Sequence, residues 1–273
     1  MTQSKMDTAS DAEIGLLGLQ IPEIGLDRFY SGVPVQAPSE PTWQARKATV
    51  IDHKMMVVKD SGLNADQQSD VDLSQLLAQL NSDKLFSQES QMPKWFENYE
   101  KVLGKYCFWT IHGMEFQKYE TSDSTFSLDK VAIQTLMNIL SDVPKATIEN
   151  LVKGAIDKIK GLAEKGDPDA NLFGRGHSGA HGAKCMIGYA YPGQSGPRIK
   201  LAAFHFKIQE DITNLLAFKV RSRDTEVWYA TAEMEQSTST YTTIQPGSGK
   251  SQRQLVKEKV LGNAGNGLQE LDI

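Results

Sequence analysis

Between Arg198 and Thr243 three β-patterned runs follow one another: Ile199 to Gln209, Ile212 to Arg221 and Glu226 to Thr243. The last dissolves into the polar string Gln236-Ser237-Thr238-Ser239-Thr240-Tyr241-Thr242-Thr243. Charged turns short enough for antiparallel neighbours join the runs, so this stretch predicts a β-meander and constrains the fold more than any other part of the chain. Alternation puts Leu216, Phe218 and Val220 on one side of the second run, and Trp228, Ala230, Ala232 and Met234 on one side of the third. A three-residue turn places both sets on one face, whereas a two-residue turn at Arg223-Asp224 does not. Strands of roughly 9 to 11 residues fit either a half-solvated sheet or one arm of a membrane-crossing hairpin.

Upstream, Pro22, Pro34, Pro38 and Pro41 break every period, so residues 1–45 read as an irregular arm and 46–273 as a single domain. A short strand is expected at Ala48 to Val58. Asp70 is placed to cap a helix bearing Leu73, Leu76, Leu77 and Leu80. Pro93 opens a second helix carrying Trp95, Phe96, Tyr99 and Val102. The aromatic and β-branched run Tyr106 to Tyr119 reads as a strand, with Gly113 marking a bulge or a close backbone approach. Ser127 caps a helix from Leu128 to Leu140. The cleanest amphipathic helix of the chain then runs from Ala146 to Lys165, with Ile148, Leu151, Ile156 and Ile159 on its apolar face and Lys153, Lys158 and Lys160 elsewhere. A strand from Ala183 to Tyr191 and a last helix from Ser251 to Leu261 complete the pattern. Helices set between an early strand and a late meander predict the α+β class, an antiparallel sheet covered by an inserted amphipathic helical pair.

The formal charge of −5 and pI near 5.6 across 273 residues offer no basic footprint for a phosphate backbone, which excludes nucleic acid as the main partner. The N-terminus lacks a charged head followed by an apolar run, and no window approaches the roughly 18 apolar residues of a spanning helix. The expectation is synthesis in the cytoplasm without a signal peptide, with any release by a non-classical route. Cys107 and Cys185 each lie in an apolar stretch and read as two buried thiols.

Four constellations invite chemistry, and each has a plainer reading. His177, His181 and Cys185 have helical spacing and metal-binding side chains, but Gly176, Gly179 and Gly182 work against that helix and no fourth ligand follows, so no metal is expected. Pro246-Gly247-Ser248-Gly249-Lys250-Ser251 is similar to a phosphate-binding loop, yet Ile244 stands where its first glycine belongs; a turn with Ser248 or Ser251 capping the last helix is expected instead. Gly176-His177-Ser178-Gly179-Ala180 and Gly193-Gln194-Ser195-Gly196-Pro197 both miss the second glycine of a hydrolase elbow. His205 reads as a structural histidine sharing a face with Lys207. Glu233 and Glu235 are expected to pair with Lys219 and Arg221 on a neighbouring strand. No nucleophile, base and orienting group come together, so an enzyme and any cofactor are not expected.

With Ser124-Thr125-Phe126-Ser127-Leu128-Asp129 leading into helices, the strands from Lys200 to Val220 and the Ser/Thr run at 237–243, the arrangement resembles small bacterial insecticidal and virulence proteins. These include cytolysin-like toxins in which helical hairpins wrap a sheet. The resemblance spans about residues 105–262 and implies a protein that binds target-cell membranes or a receptor there, forms homo-oligomers and opens pores without enzymatic chemistry. The candidate membrane or partner contacts are Leu216, Phe218, Val220, Trp228, Tyr229 and Met234 of the meander, and Ile148, Leu151, Ile156 and Ile159 of the helix. The rival expectation is a binding or assembly module whose exposed strand, ending at Thr243, adds to a partner's sheet.

Overall fold

In a computed structural model, residues 47–52, 54–86, 91–122, 124–139, 153, 157, 182–208, 219–221, 225–263 and 268–272 are described. The strand expected at Ala48 to Val58 is a hairpin. β1 (Lys47–Ile51) reverses at Asp52, which adopts a left-handed φ of 48°, and returns as β2 (Met55–Lys59). α1 (Ala65–Leu85) starts six residues earlier than expected because Asn64, not Asp70, is the cap. Its side chain accepts from Gln67 N at 2.9 Å while Gln67 Oε1 accepts from Asn64 N at 3.1 Å, a reciprocal box that satisfies two otherwise orphaned donors.

α2 (Met92–Cys107) places Pro93 in its first turn and buries Trp95, Phe96, Tyr99, Val102 and Leu103 along one face. It continues through Tyr106 and Cys107, which the sequence assigned to a strand, and stops at Phe108 with φ 56°. β3 (Trp109–Gly113) and β4 (Gln117–Lys118) follow. Gly113 is the close approach that was expected. Its φ is 96°, and a Cβ there would sit 2.3 Å from the Thr231 carbonyl oxygen, so no other residue fits without moving backbone.

β5 (Thr125–Ser127) leads into α3 (Leu128–Ile139), the first of the two expected covering helices. The second, at 146–165, lies outside the described residues except for Lys153 and Asp157, which are helical and exposed. The N-terminal arm at 1–45 and the histidine-bearing glycine loop also lie outside them. Next come β6 (Gly182–Pro192), β7 (Pro197–Ile208), β8 (Lys219–Arg221), β9 (Thr225–Gln236), a single-turn α4 (Thr238–Thr242), α5 (Gln252–Asn263) and β10 (Leu268–Asp272).

The α+β class is confirmed. One eight-stranded sheet runs β10-β1-β2-β6-β7-β9-β3, with β4 also on β9, and the pairings are antiparallel except for β2 beside β6. The expected meander order is corrected. β7 pairs directly with β9, from Arg198↔Glu235 to Ile208↔Thr225, while β8 leaves the main sheet and pairs with β5. The register explains the choice, since it sets Phe204 opposite Tyr229, Phe206 opposite Val227 and Lys200 opposite Glu233, combinations that favour cross-strand contact.

The sheet is apolar on both faces. On the first, Met55, Val57, Met186, Leu201, Ala203, Ala230 and Met234 meet Leu76, Leu80, Trp95, Tyr99 and Val256 of α1, α2 and α5 in one continuous core. The alternate residues Met56, Val58, Cys185, Ile187, Ala202, Phe204, Phe206 and Val227 are buried on the second face, and α3 packs against β6 and β7. One covering pair was expected; helices on both faces were not.

α1 is unusual within this frame. Every residue from Asp70 to Ser82 is buried, including Asp70, Asp72, Ser74, Gln75, Gln79 and Asn81. Several of its polar side chains meet partners: Lys59 of β2, 2% exposed, donates to Asp72 Oδ2 at 2.5 Å, and Trp109 Nε1 donates to Ser74 Oγ at 3.0 Å. A buried ion pair adds little net stability over apolar residues, but removing one member strands the other charge. Asp72→Ala is therefore expected to lower unfolding free energy by about 3–5 kcal/mol in urea titrations, and Lys59→Met/Asp72→Leu together by far less.

Candidate functional site

The strands β6, β7 and β9 form the only set of described strands longer than ten residues, at 11, 12 and 12 residues. Their charges concentrate toward the ends. At one end Lys118 Nζ lies 3.1 Å from Glu226 Oε1, and Lys207 approaches Glu226 Oε2 at 4.0 Å. At the other, Arg198 Nη2 and Nε donate to Glu235 Oε2 at 2.7 and 2.8 Å, and Ser195 N donates to Glu235 Oε1 at 2.7 Å. Those hydrogen bonds, chiefly from Arg198, hold the Glu235 carboxyl below the usual range although burial acts the other way. Glu233 and Glu235 thus pair across the strand as expected but with Lys200 and Arg198 of β7, not with Lys219 and Arg221, because β9 lies beside β7 and β8 does not. Between the charged ends lie Cys185 to Tyr191, Leu201 to Phe206 and Val227 to Ala232, uncharged apart from the titratable His205.

The candidate contact residues distribute unevenly over this strip. Trp228 and Tyr229 are half-buried on opposite faces near its first end. Lys118 Nζ stands 5.8 Å from the Trp228 ring centroid, and Tyr119 packs edge-on to Tyr229 at 6.4 Å. Met234 is fully buried in the first-face core. Val220 pairs with Phe126 in the small β5-β8 sheet, so it does not share a strand neighbourhood with Trp228 and Met234. Leu216 and Phe218, like Ile148, Leu151, Ile156 and Ile159, lie outside the described residues.

Two charge clusters escaped the sequence reading because each is assembled from distant segments. In the first, Asp83 at the end of α1 accepts from Lys54 at 2.8 Å, from Lys184 of β6 at 2.7 Å and from Trp95 Nε1 of α2 at 2.8 Å. Lys184 Nζ also lies 4.1 Å from the centroid of the Trp95 ring. Burial raises the Asp83 pKa, but Lys54 and Lys184 outweigh it and hold the carboxyl well below its ordinary value. In the second, Arg253 of α5 binds Asp70 at 2.5 Å and Asp66 at 3.0 Å.

Of the remaining chemical candidates, His177 and His181 lie outside the described residues. Cys185 is buried in β6, and burial pushes its thiol well above the usual value. Among the described residues no three His, Cys, Asp or Glu side chains gather to hold a metal ion. The 246–251 loop is a turn closed by Gln245 N donating to Lys250 O at 2.9 Å, and Lys250 points along the last helix to Glu258 at 2.7 Å. Ser251 caps α5 through a reciprocal box with Gln254. The polar string that was expected to extend the last strand folds as α4, with Thr242 and Thr243 hydroxyls donating to Thr238 and Ser239 carbonyls at 2.8 and 2.7 Å. The strand therefore ends at Gln236 and not at Thr243.

No protein-family model and no curated protein matches the chain. Among solved structures it is distantly similar to a delta-endotoxin, with 14% identity over 80% of this chain and 91% of that one at a TM-score of 0.37. It is likewise similar to the Evf virulence factor, with 12% identity over 80% of this chain and 84% of that one at a TM-score of 0.38.

Two groups near these clusters titrate with opposite consequences. Burial, opposed by Arg253, pushes Asp70 up to about 6, and burial, reinforced by Lys207 and Lys184, pushes His205 down to about 4. Folded Asp70 binds its proton more tightly than the unfolded chain, so its stabilising contribution is full below about pH 4 and is lost as pH rises through about 6. Folded His205 binds its proton less tightly, so its contribution is present above about pH 6.5 and is lost as pH falls through about 4. Urea midpoints at about pH 7 and pH 4.5 are expected to drop more on acidification in Asp70→Asn than in wild type, and less in His205→Gln.

Proposed function

We propose that the protein is a non-enzymatic, membrane-active toxin or virulence protein that binds a target-cell membrane, assembles into homo-oligomers there and opens pores with strands of its central sheet. The observation that carries this reading is the β6-β7-β9 unit. At 11, 12 and 12 residues its strands are long enough to supply the roughly 9 to 11 that a tilted membrane strand needs. Both of its faces are apolar through the middle, and charge lies toward its ends. An ordinary half-solvated antiparallel sheet carries a polar outer face; this one hides two apolar faces under helices. Exchange of a helical cover for lipid or for a second copy leaves the strand hydrogen bonds in place.

Among the described residues no helix is long and apolar enough to cross a membrane. The non-enzymatic part of the reading is supported by the state of Cys107, Cys185 and His205. Both thiols are raised far from reactivity by burial, and His205 Nε2 is buried with no partner among the described residues.

Purified protein is expected to release a self-quenched dye from vesicles of phosphatidylcholine, with or without phosphatidylglycerol, and to elute as larger species after lipid exposure. Protein that stays monomeric and releases nothing across these compositions, including after mild proteolysis and at acidic pH, removes this reading.

A further inference from the structure

α1 and α2 lie on the first face of the sheet, and the contacts beneath α1 differ along its length. Eleven residues separate Asp72 from Asp83, which at about 1.5 Å per residue places them roughly 16 Å apart along the axis. At Asp72 the pin is sealed: the side chains of Lys59 and Asp72 are 2% and 8% exposed. At Asp83 the side chains of Asp83, Lys54 and Lys184 are 24%, 25% and 12% exposed, so water and solutes reach that cluster. Between the two pins the seam mixes the apolar contacts of Leu76, Leu77 and Leu80 with buried polar groups. Tyr99 donates to Gln75 Oε1, Gln79 Nε2 lies 3.7 Å from Met55 Sδ, and Gln75 Nε2 and Gln79 Oε1 have no partner among the described residues.

We propose that Asp83 is a latch: it holds the corner of the α1-α2 helical pair to the sheet, and its release lets that corner lift while the Lys59-Asp72 pair acts as the hinge. One carboxylate ties together four segments, namely α1 itself, the β1-β2 turn through Lys54, β6 through Lys184 and α2 through Trp95. Charge-assisted bonds of this kind are strong while formed and reversible at a wetted rim, where salt or a competing ion reaches them. Lifting this corner exposes apolar side chains, but it carries a smaller penalty than parting a wholly apolar interface, because the unpartnered amide atoms of Gln75 and Gln79 gain water as they separate. The consequence for membranes rests on the function proposed above: the lifted corner is the step that uncovers the first face of β6 and β7.

Hydrogen exchange followed by mass spectrometry tests the latch in solution without lipid. In Asp83→Asn, amides in the C-terminal half of α1 and the N-terminal half of α2 are expected to exchange about 10- to 100-fold faster, the equivalent of losing a charged hydrogen bond. Amides around Asp72 are expected to keep their wild-type rates, and Asp83→Glu to restore most of the protection. Trp95→Phe keeps an aromatic ring but removes the indole donor together with part of the buried ring; it is expected to give a rise confined to the same segments and serves if Asp83→Asn does not fold. Unchanged rates at both segments, or an equal rise through α1, the sheet and α5, overturn the latch. In the vesicle assay Asp83→Asn is expected to release dye faster than wild type. Wild-type protein that releases none counts against the membrane function alone, since the exchange pattern decides the latch by itself.

Discussion

The burial of α1 between the sheet and its sister helices sets the terms for the rest of the molecule. A helix with Asp70, Asp72, Gln75, Gln79 and Asn81 buried along its length cannot be held by apolar contact alone. Each buried charge lost to solvent-free surroundings without a partner is worth several kcal/mol against folding, so the partners must be in place before the helix is tolerated. Lys59, Lys54, Lys184 and Arg253 supply them from β2, the β1-β2 turn, β6 and α5. These pairs sit where the elements meet: β2 lies next to β6 where Lys54 and Lys184 converge on one carboxylate, and α5 closes on α1 where Arg253 spans Asp66 and Asp70.

A sheet buried on both faces divides labour between its middle and its margins. In the middle, Phe204 and Phe206 stack at 6.0 Å on one face while Leu201 and Ala203 face α1 and α2 on the other. Polar pairing is pushed to the strand ends and edges, where Arg198 meets Glu235 and Lys118 meets Glu226. Such a sheet depends on its covers, in contrast to one that already presents a polar face to water. That dependence joins the architecture to the proposed membrane activity, since any surface that replaces a cover must itself be apolar or must repeat the strand pairing.

Much of the fold was legible before the structure. Pro93 and the Trp95-Phe96-Tyr99-Val102 stripe marked α2, Ser127 marked the start of α3, and Gly113 marked the close approach to Thr231. Each of these signals is local: a ring that fixes φ, a 3.6-residue period, a missing Cβ. The failures share a different cause. Tyr106 and Cys107 have strand-like composition, yet they complete the buried face of α2; composition yielded to packing. The string from Ser237 to Thr243 alternates like a strand, but Tyr241 is buried in the first-face core and the hydroxyls bond back to carbonyls within one turn, which shapes a helix. Of the candidate site, Trp228 and Tyr229 keep a half-exposed position, whereas Met234 belongs to the core because its face of β9 is covered.

The sequence by itself determined the α+β class, the helix limits set by Pro93, Ser127 and Ser251, and the alternation that puts Ala230, Ala232 and Met234 on one side of β9, since all of these are written in neighbouring residues. Only the tertiary structure decided that β7 and β9 are neighbours, that β2 runs parallel to β6, and that Asp83 gathers Lys54, Lys184 and Trp95. Lys184 is 101 residues from Asp83 and Glu235 is 37 from Arg198. Charges so far apart in the chain carry no mark of their partners; cross-strand register and the desolvation of one buried helix bring them together.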